Sequence, residues 1–259
     1  MHKIKIIFLI LLFTSCTKVP ITGRRQMNLL AEGELKKMSL AEYNKFLGTH
    51  SLVSDADTNA QLVKKVGKNI QAVVERFKQR TAGYNWEFNL VNDKSINAWC
   101  MPGGKVVVYT GLLPVTQNEI GLAVVMGHEI AHAIARHGNE RMSQGLLIQL
   151  GGVALSVAVS TQSAATQNLF NQSYGITSGL GALAYSRKHE CEADKLGLVF
   201  MAMAGYDPRE AVAFWERMEK TSKGGAIQIL STHPNDEKRI IEIKKFLPDA
   251  MKYYQQNKQ

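Results

Sequence analysis

Cysteine is scarce in this 259-residue chain: three residues, at positions 16, 100 and 191, and no C-x-x-C pair. A thiolate knuckle is therefore excluded, and any bound metal must rely on histidine and carboxylate. Cys100 and Cys191 permit a disulfide, but two residues do not imply one. Charge is missing altogether from Met142 to Ser186. Within that stretch Leu146 to Val159 is apolar enough to raise a membrane span. The glycines, serines and glutamines in and beside it favour a buried or membrane-apposed helix instead, followed by a Gly/Ser-rich segment. Internal repeats are absent, and no linker divides the chain. The net charge of +9 comes from 31 Lys and Arg against 22 Asp and Glu. These cations are dispersed, without the aromatic-interleaved stripe of a nucleic-acid footprint, so nucleic acid is excluded as a partner.

What is present is His128-Glu129-Ile130-Ala131-His132, an H-E-x-x-H. On an α-helix, residues four apart lie only about 40° apart in projection, so both imidazoles leave from one face. Two neutral imidazoles side by side can share one Zn²⁺, and the glutamate between them can reach the attacking water. A catalytic zinc needs a third protein ligand. His137 lies nine residues after His128, about 180° round a continuous helix, which points it away from the metal. The segment Ser186 to Asp194 is a better source. On a helical wheel Glu190 shares a face with Ala193, Asp194, Gly197 and Met201, a small-residue and therefore buried side. Lys188, Glu192 and Lys195 fall opposite and are expected in water. A buried Glu190 needs a cation or several hydrogen bonds to stay ionised, and zinc would supply the cation. Asp194, one turn on, can accept the second ring N–H of a ligand histidine. Ala193 and Gly197 allow two helices to approach closely.

Around these residues the pattern predicts an α+β, mostly α chain. Helices are expected over Glu32–Leu47, Asp57–Arg80, from Thr116 through the H-E-x-x-H to about His137, Tyr185–Ala204, Asp207–Lys220, and from Pro234 to Pro248. Thr116-Gln117-Asn118-Glu119 matches a capping box for the metal helix. Alternation at Trp86, Phe88 and Leu90, and a valine-rich run over 105–110, predict strands of a small sheet, with a turn at Pro102-Gly103-Gly104.

Several separated stretches resemble one known group, the HtpX-like and CAAX-prenyl-protease-like zinc metallopeptidases, family forty-eight of the metallopeptidases. They are Asn97-Ala98-Trp99, Pro102-Gly103-Gly104, Thr110-Gly111-Leu112-Leu113, Gly127-His128-Glu129 through His132, Tyr185-Ser186-Arg187 with Glu190 and Ala193-Asp194, and Ser231-Thr232-His233-Pro234. The resemblance implies a gluzincin-type domain over 57–259, with a small β-sheet beside the H-E-x-x-H helix. It implies one zinc ion on His128, His132 and Glu190, Glu129 as catalytic glutamate and Asp194 as the acid behind a ligand. It also places a histidine near the site, here His233, either stabilising the transition state or filling zinc's fourth position in a latent enzyme. Arg239 is a candidate for binding substrate, Trp99 for a substrate subsite, and the uncharged segment after His137 for a lid. An edge strand near Asn97 suits extended polypeptide substrates.

Residues 1–15 resemble a bacterial lipoprotein signal. Lys3 and Lys5 precede an apolar run, and Phe13-Thr14-Ser15-Cys16 stands as the lipobox. That reading makes 16–56 a tether with a short helix and Cys16 a lipidated membrane anchor. It places the protein in the bacterial cell envelope facing the periplasm, on the outer membrane. The expected activity is endopeptidase cleavage of unfolded or misassembled envelope proteins. The alternatives are a non-proteolytic chaperone or docking lipoprotein and another zinc hydrolase of envelope peptides. Oligomeric state is not legible.

Overall fold

The structure, a computed structural model, describes residues 16–150, 163–174, 185–222, 228–233 and 237–257. The expected signal at 1–15 and most of the expected lid lie outside the described residues. Strands β1 (Cys16–Lys18) and β2 (Arg25–Met27) form an antiparallel ribbon, followed by α1 (Glu32–Leu47) and α2 (Thr58–Val74). Asp57 caps α2 by accepting from the backbone N–H groups of Asn59 and Ala60. Then come β3 (Glu87–Val91), β4 (Ala98–Met101) and β5 (Lys105–Tyr109). The metal helix is α3 (Glu119–Ala135), and α4 (His137–Leu150), α5 (Ala164–Tyr174), α6 (Arg187–Met203) and α7 (Glu210–Ser222) follow. The short α8 (Gln228–Thr232) and α9 (Glu237–Gln256) follow, and two four-residue helical turns, Lys78–Thr81 and Leu113–Thr116, precede α3.

The sheet has the order β3-β5-β4, with β3 parallel and β4 antiparallel to β5. The β4–β5 turn needs Gly103 and Gly104, both at positive φ (94° and 82°). Strand β5 is buried on both faces, which is why it reads as an unbroken apolar run. Val106 and Val108 pack with α2, α3 and α6, while Val107 and Tyr109 pack with α1, α4 and α5. The two hydrophobic clusters thus sit on opposite faces of one small sheet. Trp99 belongs to the second cluster, edge-on to Tyr43 and Phe46, so it is core and not a substrate subsite.

Every residue of α3 from Gly121 to Ala135 is buried. Each large side chain there, such as Leu122, Met126 and Ile130, contributes about 1.5–3 kcal/mol by leaving water. The cap is Asn118, whose side chain accepts from Gly121 N–H, and not Thr116, which ends a preceding helical turn. Gln117 between them has φ 62°, which breaks the capping-box geometry. The helix ends at Arg136, which is left-handed (φ 59°), so His137 starts a new helix instead of continuing the old one. Helix α9 runs past its expected end at Pro248 to Gln256. Proline removes one N–H there, and burial of Ile243 and Ala250 on either side keeps both halves seated. Among the described residues, no helix is long and apolar enough to cross a membrane.

Candidate metal centre and active site

Helices α3 and α6 cross where Gly127 meets Gly197. A Cβ on Gly197 would lie 2.9 Å from His128 N, and one on Gly127 would lie 3.0 Å from Gly197 O. This closeness brings Glu190 of α6 to the two histidines of α3. With His233, just after α8, they form a buried group whose ligating atoms lie within 4.8 Å of one another. His128 Nε2 and His132 Nε2 are 3.1 Å apart. Glu190 places Oε2 3.4 Å from the first and Oε1 3.4 Å from the second. His233 Nδ1 is 3.1 Å from Glu190 Oε1 and 3.3 Å from His128 Nε2. Donors 2.0–2.1 Å from a shared tetrahedral ion stand about 3.3 Å apart, so this set fits zinc. Two further atoms support the fit: Glu190 Oε2 and Glu129 Oε1 are buried without a hydrogen bond.

The surrounding groups aim the donors. His128 Nδ1 lies 2.9 Å from Asp194 Oδ1, a contact that can fix the ring's tautomer. Arg239 is buried beneath them. It donates to Asp194 Oδ1 at 2.7 Å, approaches Glu190 Oε2 at 3.3 Å and lies 3.3 Å over the Trp215 ring. Arg239 therefore braces the carboxylates and does not face substrate. Two other expectations change. His137, freed by the break at Arg136, turns back so that its Nδ1 meets His132 Nδ1 at 3.0 Å. Glu192 is buried, 3.0 Å from His137 Nε2, because Thr22 and Arg24 from the β1–β2 ribbon cover that face of α6.

Burial and the Arg239 charge pull the His128 pKa down, but hydrogen bonds to Asp194 and Glu190 outweigh them and lift it to about 9. Burial holds His132 well below the ordinary histidine value, and brings His137 to about 4 against the pull of Glu192. Burial raises the Glu129 carboxyl above the usual range, the direction a proton-accepting group needs near neutral pH. Burial works against the Glu190 charge, yet the three histidines hold its pKa well below the ordinary value.

The profile of Peptidase family M48 matches residues 59–247. The chain belongs to that family. It is a zinc metallopeptidase of that family, with His128, His132, Glu190 and His233 able to hold the metal, and its OMA1 relatives are named metalloendopeptidases. The mitochondrial metalloendopeptidase OMA1 of Schizosaccharomyces pombe is 33% identical over 92% of this chain and 68% of its own length. OMA1 of Saccharomyces cerevisiae is 37% identical over 68% of this chain and 51% of its own. The β-barrel assembly-enhancing protease of Escherichia coli is 25% identical over 89% and 47%. The chain thus spans from about half to two thirds of these M48 relatives. The bacterial-envelope address expected from residues 1–16 is overturned here. The relatives of higher identity are mitochondrial metalloendopeptidases of fungi and a plant, and the animal OMA1 proteins follow them. The lipobox reading rested on a short N-terminal pattern alone, which carries far less information than a match along the whole M48 domain.

Proposed function

We propose that this M48 protein hydrolyses peptide bonds in extended segments of unfolded or misassembled proteins. His128, His132 and Glu190 hold the zinc, and Glu129 transfers the proton. The observation that carries this reading is the buried Glu129 carboxylate with a free oxygen, set on the helical turn that presents both histidines. When bound, zinc supplies Lewis-acid activation of water and of the scissile carbonyl. Glu129 accepts a proton as the water oxygen attacks the carbonyl carbon. It then hands that proton to the amine nitrogen as the C–N bond breaks. Asp194, itself held by Arg239, keeps the His128 ring in the tautomer that turns Nε2 toward the metal.

His233 in this reading holds a resting state. Its ring stands among the donors, with Nε2 3.6 Å from Glu129 Oε2, and all these groups are buried. The same segment meets the sheet edge, where Ile229 N–H donates to Ile96 O at 3.2 Å beside β4. Among the described residues strand β4 pairs only with β5, so its outer edge offers main-chain groups to an extended polypeptide. Outward movement of the α8–His233 segment would uncover the metal and that edge together.

The test is cleavage of an unfolded reporter protein by zinc-loaded wild type, Glu129→Gln and His233→Ala at equal metal content. Glu129→Gln should slow cleavage by about 10² or more, and His233→Ala should raise the rate. Equal cutting by wild type and Glu129→Gln would remove Glu129 from its role. A fall of about 10²–10³ for His233→Ala would make His233 a transition-state donor and not a cap.

A further inference from the structure

A second layer of histidines and carboxylates lies behind His132, and nothing in the mechanism above uses it. His137 Nδ1 meets His132 Nδ1 at 3.0 Å, and His137 Nε2 meets Glu192 Oε2 at 3.0 Å. Glu192 is gripped in turn by Arg24 Nε, 2.7 Å from Oε2, and by the Thr22 hydroxyl, which donates to Oε1 at 2.5 Å. The other end of Arg24 forks onto Glu140, with Nη1 2.8 Å from Oε1 and Nη2 2.7 Å from Oε2. Glu140 Oε2 lies 3.0 Å from Nε2 of His189, the residue immediately before Glu190. The His137 and His189 rings stack with centroids 4.6 Å apart.

The protons in this chain are dictated by its far end. His132 can offer Nε2 to a metal only if Nδ1 carries the proton, and that N–H must then donate to His137 Nδ1. His137 consequently accepts at Nδ1 and must carry its own proton on Nε2, where a carboxylate is waiting. One tautomer satisfies all three residues, and Glu192 selects it. Arg24 and Thr22 fix Glu192 in turn, in a geometry that only a forked guanidinium can share with Glu140.

We infer that Glu192, His137 and Arg24 are positioning residues for the zinc ligand His132. On this inference the 16–27 ribbon is a working part of the metal centre and not a passive tether. The inference rests on His132 being a zinc ligand. Carboxylate–histidine support of this kind raises ligand basicity and aims the ring, and its loss typically costs 10- to 100-fold in metal affinity. The support here is two histidines deep, so the charge of Glu192 reaches the metal through two rings.

The experiment is zinc affinity by competition with a chromophoric chelator, together with the visible absorption of the Co²⁺-substituted protein. The variants are Glu192→Gln, His137→Leu, Arg24→Met, Arg24→Lys and His132→Ala. Glu192→Gln keeps the shape and an accepting oxygen while removing the charge. It should weaken zinc by about 10-fold and alter the Co²⁺ bands, a change in the metal site that the lost ion pair with Arg24, read separately as thermal unfolding of the metal-free protein, does not by itself produce. His137→Leu and Arg24→Met should weaken zinc by about 10- to 100-fold, and Arg24→Lys should rescue only in part. Should His137→Leu or Arg24→Met fail to fold, Glu192→Gln decides alone. Zinc affinity within twofold of wild type and unchanged Co²⁺ bands in Glu192→Gln would overturn the inference. His132→Ala separates the two levels: if it binds zinc like wild type, the ligand assignment itself is wrong. If it loses zinc while Glu192→Gln does not, only the positioning chain fails.

Discussion

At the scale of single residues, the site is a problem of placing carboxylates in a dry interior without leaving any alone. Glu190 and Asp194 are almost fully buried, and Arg239 is the cation shared between them. Its guanidinium carbon also lies 3.3 Å over the Trp215 ring centroid, a contact a lysine ammonium copies poorly. Removing one partner of a buried ion pair costs about 3–5 kcal/mol, because the other charge is stranded. Arg239→Met should therefore lower the urea-unfolding stability of the metal-free protein by roughly 3 kcal/mol. Saturating zinc should restore part of that loss by supplying another cation to Glu190. A loss under about 1 kcal/mol would show that solvent reaches these carboxylates after all. Arg239 was expected at the substrate because it follows His233 by a turn or so; its burial under α6 is a tertiary fact that local spacing does not carry.

At the scale of elements, one crossing sets the metal geometry. Gly127 and Gly197 let α3 and α6 touch, and an added Cβ at 197 would press on His128 N at 2.9 Å, the backbone of a ligand. Gly197→Ala should cost about 1–3 kcal/mol by overpacking and should weaken zinc binding as well, since the helices must part. Gly33→Ala, at an exposed position of α1 with open space around it, should gain about 0.5–1 kcal/mol in thermal unfolding. Equal effects at the two positions would remove the crossing from the argument. The crossing shows how far sequence periodicity reaches. H-E-x-x-H, Glu190, Asp194 and the small face of α6 were all legible, because each follows from one helix presenting one face; Ser186 as the cap of α6 was not read from the sequence. Glu192 and His137 were misplaced for the same reason. A helical wheel assumes one buried face, whereas α6 is covered on a further side by the β1–β2 ribbon. It also assumes an unbroken helix, and arginine at 136 gives no hint of a left-handed break. Trp99 was undecidable locally, since an aromatic in a doubly buried sheet reads like one in a cleft wall.

At the scale of the whole molecule, the N-terminal ribbon and the catalytic helices are tied by charge as well as by apolar packing. Arg24 meets Glu140 of α4 and Glu192 of α6. Burial opposes ionisation of Glu140, but the hydrogen bonds from His189 and Arg24 prevail and take its pKa from 4.5 to about 2. A carboxyl depressed in the folded state stabilises fully above its unfolded value of 4.5. That contribution fades as pH falls through the window from 4.5 to 2, because the unfolded chain takes up the proton first. Urea-unfolding midpoints of chelator-treated protein should therefore fall more steeply between pH 4.5 and 3 in wild type than in Glu140→Gln, which still accepts from Arg24 but cannot titrate. Hydrogen exchange over residues 16–27 should quicken across the same window in wild type, since protonating Glu140 loosens one prong of the Arg24 fork. Parallel pH profiles for the two proteins, with exchange in the ribbon unchanged, would mean that the Glu140 prong adds nothing and that the ribbon is held by its apolar contacts at Val19 and by Arg24 and Thr22 on Glu192. The acid sensitivity of the fold would then belong to the metal-site carboxylates instead.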